Sequence, residues 1–238
     1  MVGILTGLRR KRFEDAVSWR LINSKYPSTT LVDDIASEEE FEALYQVAAL
    51  TNPRIMDELE QIALVPKGKR PFGIRGANYA IGPFVHLNTE GSRFASADHG
   101  AFYCADSIDV AISETRYHQE RYLQGIGKVA YDDIQMRGLK ATFSARLFDI
   151  CGPKHADSHW YDPADYSASQ ALGKAVREVD GEGIYFNSVR HPGGKCYALF
   201  WPNLVADVIQ TAHYNYCWDG NSISDVYLIT SHSKGRPV

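Results

Sequence analysis

The sequence predicts an α+β fold: a curved, mainly antiparallel sheet with flanking helices and a helical N-terminal extension. Three observations predict it. Up to Val65 the apolar residues recur at helical spacing. Beyond it, short strand-like segments dominate. The helices that interrupt those strands do not alternate with them as a parallel βαβ sheet would require. The expected division is residues 1–65 for the extension and residues 66–238 for the main domain.

The elements follow in order. Ser37 with Glu40 three residues later forms a capping box, and Phe41, Leu44, Tyr45 and Ala48 continue at helical spacing. Thr51-Asn52-Pro53 stops that helix and starts another, whose stripe is Met56, Leu59, Ile62 and Ala63. Pro66 to Pro71 is a polar connector rich in turn residues. A helix is predicted from about Ser107 to Arg121, capped by Asp106 or Ser107. Leu139, Ala141, Phe143, Ala145 and Leu147 alternate with polar residues, the mark of a half-buried strand. A second helix is predicted from about Ser169 to Val179, with its exit at Asp180-Gly181. Ile184–Val189 and Cys196–Trp201 read as strands around the turn Pro192-Gly193-Gly194. Tyr214–Trp218 and Ser222–Ile229 flank Asp219-Gly220-Asn221 as a hairpin.

Composition narrows the function classes. The 238 residues are 45% apolar and 23% charged, an ordinary globular mixture. A chain this long buries on the order of 70% of its unfolded surface and needs no staple. The formal charge of −4 argues against a dedicated nucleic-acid binder. Cys104, Cys151, Cys196 and Cys217 are scattered, as expected of reduced thiols in a cytoplasmic protein. The apolar run Cys196–Trp201 is far short of a membrane span, which takes about 18 residues. No phosphate-binding P-loop, complete dinucleotide fingerprint, H-E-x-x-H or G-x-S-x-G is present. His155 and His159 lie in a Pro- and Asp-rich loop with no third metal ligand in view.

Three spaced polar residues stand out. Arg93 opens an Arg-Phe pair, Tyr103 lies ten positions later in a strand-like segment, and Glu114 eleven positions beyond it in a helix. At about 100° per residue, Ile108, Ala111, Ile112 and Thr115 share one helix face. Glu114 falls at the edge of that face, one turn before His118, so its carboxylate is half in the core. Ser188 closes an apolar strand just before the glycine turn. Each residue alone also suits an ordinary role: a flanking carboxylate, a surface ion pair, a core tyrosine, a strand-end serine.

Taken together they resemble a known family. Arg93 with Phe94, Tyr103, Glu114 in "AISETRYH" and Ser188 in "IYFNSVR" are similar, in order and spacing, to the RES domain, named for its Arg, Glu and Ser. The Ser188-Val189-Arg190 run followed by Gly194 fits as well. The resemblance covers about residues 73–200.

The resemblance implies an ADP-ribosyltransferase-like fold and an enzyme that acts on NAD. It implies a toxin paired with a helix-turn-helix (Xre-type) antitoxin, with nicotinamide released to water or inorganic phosphate, or ADP-ribose passed to a protein. On it, Glu114 is the catalytic carboxylate facing the oxocarbenium-like ribose. Arg93 grips ribose or pyrophosphate with its donor fork. Tyr103 stacks on the nicotinamide or holds it by its hydroxyl. Ser188 donates to a phosphate or orients Arg93. Arg190 and Lys195 are candidates for phosphate charge, and His118 for tuning Glu114. NAD is the substrate, so no metal or further cofactor is expected. A homodimer is compatible with the aromatic C-terminal segment of Tyr214, Tyr216 and Trp218. A catalytically silent interaction module stays open as the reading from another class.

Overall fold

The computed structural model describes residues 2–25, 35–51, 59–127, 130 and 132–230. Its spine is β3, Asp132–Asp149. The predicted alternation is present: Leu139, Ala141, Phe143, Ala145 and Leu147 are all buried. The strand is longer than its clearest alternating stretch: Ile134 and Met136 extend it, and their even parity turns them to the opposite face, where they pack in the cluster of Val110 and Leu123. On one side β3 pairs antiparallel with β6 (Val205–Trp218), which in turn pairs with β7 (Ile223–Ile229) as the predicted hairpin.

At its C-terminal end β3 pairs with β4 (Gly183–Asn187), and its opposite edge runs along β1 (Arg9–Asn23). β1 also meets β2 (Phe102–Ala105), β2 meets β5 (Lys195–Leu199), and β5 meets β4. The strands β1-β2-β5-β4-β3 therefore close into a ring, with β6 and β7 as a flange. Only the β3–β4 pair is parallel among these. The α+β, mainly antiparallel architecture is the one expected.

The N-terminal region departs from expectation. Residues 9–23 were expected within a helical extension, yet they form β1, a long strand of the main sheet. A bulge between Phe13 and Ala16 explains the missing signal. Asp15 there takes a φ of 45°, its N–H donating to Ser144 Oγ at 2.9 Å. The bulge shifts parity midway, and the first half carries charged residues at exposed positions, so no period of two is visible. Helical structure in this region is α1, Glu38–Thr51, and residues 59–63. The capping box forms in shifted register: Glu40 N–H donates to Ser37 Oγ at 3.2 Å, while the Glu40 carboxylate accepts from Ala36 N–H at 2.8 Å rather than from Ser37 N–H. Asn52, Pro53 and Met56 lie outside the described residues, as does the side chain of Ala48.

Three clusters hold the fold together. Phe41, Leu59, Ile62 and Val65 pack with Ala77 and Ile81 of α2, Ala77–Val85. The ring strands and β6 bury a second cluster that includes Phe102, Phe143, Tyr185, Tyr197 and Val208. Across the sheet from it, α3 (Ile108–Ile126) and α4 (Ser167–Glu178) cover a third, with Val110, Leu123, Leu172, Val176, Phe186 and Ala198.

Two close approaches set how these helices sit. A Cβ at Gly173 of α4 would lie 1.8 Å from the Phe94 carbonyl oxygen, so only glycine lets α4 reach the segment that carries Arg93. A Cβ at Gly194 would lie 2.4 Å from Val110, so the turn before β5 closes on the first turn of α3. Ser107 caps α3, its Oγ accepting from Val110 N–H at 3.3 Å. No helix among the described residues is long and apolar enough to cross a membrane.

Candidate active site

A cavity of about 240 Å³ opens between β1, β2 and α3. Arg93, Tyr103 and Glu114, far apart in sequence, all line it. Glu114 comes from the second turn of α3 and is half-buried, as its place at the edge of the apolar stripe predicts. Its Oε1 accepts from Ser188 Oγ at 2.6 Å. Ser188 Oγ accepts in turn from the backbone N–H groups of His191, at 2.9 Å, and Arg190, at 3.2 Å. The hydroxyl proton is thereby directed at the carboxylate. Ser188 is not in the cavity lining; it stands behind Glu114 and orients it, rather than Arg93.

Arg93 is only 8% exposed. One terminal nitrogen donates to the carbonyls of Trp160 (3.1 Å) and Asp162 (2.8 Å), and the guanidinium carbon lies 4.7 Å from the centre of the Tyr166 ring. No carboxylate is within salt-bridge distance of it among the described residues. Its remaining nitrogens are absent from the buried groups that lack a partner, so they reach solvent, and Arg93 meets solvent at the cavity. A guanidinium with free donors and no internal counter-ion is suited to an anionic or hydroxyl-rich ligand.

Tyr103 spends its hydroxyl inside the protein. The oxygen accepts from Phe94 N–H at 2.9 Å and lies 2.9 Å from Ser92 Oγ. Burial pushes its pKa up to about 12. The hydroxyl fixes the backbone beside Arg93, and the ring is what Tyr103 offers the cavity.

Sequence reasoning missed part of this wall. Trp19 and Arg20 also line the cavity, and both belong to β1. One Arg20 nitrogen donates to the Tyr103 carbonyl at 2.7 Å, tying β1 to β2 where Trp19 and Ala105 make the only paired register between them. Its guanidinium lies 5.1 Å from the Phe102 ring centre. Burial lowers its pKa, and no carboxylate lies within salt-bridge distance among the described residues. The cavity thus carries two guanidiniums against one carboxylate. Tyr166 and Phe186 add aromatic surface.

His118, exposed and one turn beyond Glu114, lines the same cavity. Crowding by the cavity wall lowers its pKa; Glu114 pulls it up, while Arg190, Arg93 and Arg121 push it down. Cys196 and Cys104 complete the lining, and burial raises both thiols, Cys104 to about 12, so neither is an active nucleophile. Arg190 is outside the lining: it stacks 3.3 Å from the Tyr117 ring centre and donates to the Pro163 carbonyl. Lys195 donates to Asn187 Oδ1. Among the described residues no group of three or more His, Cys, Asp or Glu side chains is placed to hold a metal.

The sequence matches the family described as RES domain over residues 70–219. The chain belongs to the RES domain family. It is 30% identical over 211 residues to uncharacterized protein y4oC of Sinorhizobium fredii, covering 88% of this chain and 86% of that protein. A solved structure, the M. tuberculosis MbcT–MbcA toxin–antitoxin complex, aligns over 88% of this chain and 89% of its own at 12% identity, with a TM-score of 0.42. Within the RES match lie Arg93, Tyr103, Glu114 and Ser188, while Trp19 and Arg20 lie before it.

Proposed function

We propose that this RES protein cleaves the nicotinamide–ribose bond of NAD and serves as the toxin of a toxin–antitoxin pair. The observation that carries the reading is the convergence of Glu114, held by Ser188, with Arg93 and Tyr103 on one cavity. The cavity size suits the nicotinamide-ribose end of the dinucleotide, with the remainder extending from the mouth.

The chemistry follows from the side chains. The bond from ribose C1′ to the pyridinium nitrogen breaks, and its electron pair leaves on nicotinamide, which departs neutral. Positive charge builds on the ribose. The Glu114 carboxylate, with Oε1 held by Ser188, has Oε2 left for the ribose hydroxyls and faces that charge, an interaction that strengthens toward the transition state. Arg93 and Arg20 hold ribose or phosphate oxygens. Tyr103 and Tyr166 supply ring faces for the nicotinamide. Water or inorganic phosphate then adds to C1′. When water adds, its proton passes to a base, and His118 in the cavity lining is the candidate for it. NAD is the substrate, and no metal or further cofactor enters these steps.

The family resemblance supports a small Xre-type helix-turn-helix antitoxin as protein partner. Incubation of purified protein with NAD, with and without inorganic phosphate, tests the reading. Nicotinamide release is expected, and the co-product identifies the acceptor: ADP-ribose for water, a phosphorylated ADP-ribose for phosphate. Nicotinamide release matched by covalent labelling of protein, with neither free ADP-ribose nor its phosphorylated form, would instead indicate transfer to a protein side chain. Intact NAD under all conditions would overturn the proposal.

A further inference from the structure

One backbone oxygen joins the segment that fixes Arg93 to the elements that carry and hold Glu114. The acceptors that fix Arg93, the Trp160 and Asp162 carbonyls, and the Tyr166 ring beneath it all lie on the segment between β3 and α4. The tip of that segment, Pro163 to Asp165, is exposed. Its Pro163 carbonyl accepts from Tyr117 Oη at 3.1 Å and from the Arg190 guanidinium. Tyr117 stands three residues after Glu114 on α3. Arg190 stands two residues after Ser188, and its own backbone N–H donates to the Ser188 hydroxyl that holds Glu114. The Arg190 guanidinium lies flat against Tyr117, which pre-sets both donors toward the same oxygen.

We propose that Arg190 and Tyr117 are positioning residues, which set the gap between the Arg93 wall and the Glu114 wall by gripping the Pro163 carbonyl together. Neither residue lines the cavity, so neither needs to touch the ligand. A bifurcated grip on one carbonyl fixes the segment more firmly than either donor alone. The grip lies at the segment's exposed tip, whose other hydrogen bonds are local to the segment: Asp162 Oδ1 accepts from the Ala164 and Asp165 N–H groups, and Asp165 Oδ1 from Ser167 N–H. Tyr161, earlier in the segment, is independently anchored: its hydroxyl donates to the Ile150 carbonyl at 2.8 Å and accepts from Asn187 N–H at 3.2 Å. Loss of the grip therefore frees the part from Asp162 to Tyr166 and leaves the segment's root in place. A misplacement of reacting groups by about 1 Å can cost on the order of a hundredfold in rate.

The inference rests on the NAD-cleaving reading for its kinetic readout, so a ligand-free measurement accompanies it. In unliganded protein, hydrogen exchange across residues 162–167 should accelerate in both Arg190→Ala and Tyr117→Phe, with α1 as the unchanged internal control. With NAD, Arg190→Ala should lower kcat by about tenfold and Tyr117→Phe by less, with KM nearly unchanged. The double variant should fall short of the product of the two effects, because both donors act on one acceptor. Arg190→Lys should recover part of the rate, since an ammonium can still reach the carbonyl. Unchanged exchange in both variants would overturn the proposal, even if the wild-type protein proved inactive on NAD. So would a raised KM in Arg190→Ala with Tyr117→Phe silent, which would make Arg190 a direct ligand contact. An inactive wild type with accelerated exchange would overturn the NAD reading and leave the grip standing.

Discussion

The two walls of the cavity are held by different means. On one side Glu114 sits on a capped helix and is fixed by a side-chain hydroxyl whose own acceptor capacity is taken up by two backbone N–H groups. On the other, Arg93 is fixed by two loop carbonyls and an aromatic ring, all from one irregular segment. The carboxylate wall is set by regular structure packed into the core. The guanidinium wall is set by a loop that must itself be pinned. The difference teaches that the acidic group is pre-organised by the fold, whereas the basic group depends on the loop being in place.

Variants can break or sharpen that contrast, and the largest effect belongs to the rigid wall. Glu114→Gln keeps the hydrogen bond geometry and removes the charge. Nicotinamide release should drop by on the order of a hundredfold or more, with the thermal midpoint preserved. Activity near the wild-type level would remove Glu114 from the chemistry. Arg93→Lys keeps charge but loses the planar fork that serves two carbonyls and a ligand at once. A fall of roughly ten- to a hundredfold in kcat/KM is expected. Unaltered kinetics would make Arg93 a structural residue. Ser188→Ala frees one carboxylate oxygen without moving charge and should lower kcat by about tenfold, which steady-state kinetics would show.

The smallest expected effect is on stability, and it does not separate the walls. His118, His99 and His155 all have pKa values below the ordinary histidine value, with desolvation as the first cause in each. A folded-state pKa below the unfolded one means that the unfolded chain binds more protons. Stability from these groups is therefore fully present above about pH 6.5 and is lost as pH falls through and below the folded values. Denaturant midpoints measured between pH 5 and 7.5 should rise with pH. His118→Asn should flatten part of that slope, and an unchanged slope would show that His118 does not contribute.

Legibility in the sequence followed the same divide. Glu114 was readable because a helix stripe fixes where each side chain points. The β3 alternation and the β6–β7 hairpin were readable because pleat and turn chemistry are local. Ser188 was singled out by the RES resemblance, its strand-end place alone suiting an ordinary backbone contact, and its partner was not legible because the Ser188–Glu114 contact joins residues 74 positions apart. Trp19 and Arg20 were lost with β1, whose bulge at Phe13 and Ala16 and charged first half hide the period of two. The grip on Pro163 leaves no local pattern, since it joins a loop carbonyl to donors from a helix and a turn.

A crystal structure of the Glu114→Gln variant soaked with NAD tests the central claim most directly. The nicotinamide ribose is expected inside the cavity, with its hydroxyls within hydrogen-bond reach of the side chain at position 114 and an oxygen of the ligand on Arg93. NAD bound elsewhere, or oriented with its adenine in the cavity and the nicotinamide in solvent, would contradict it.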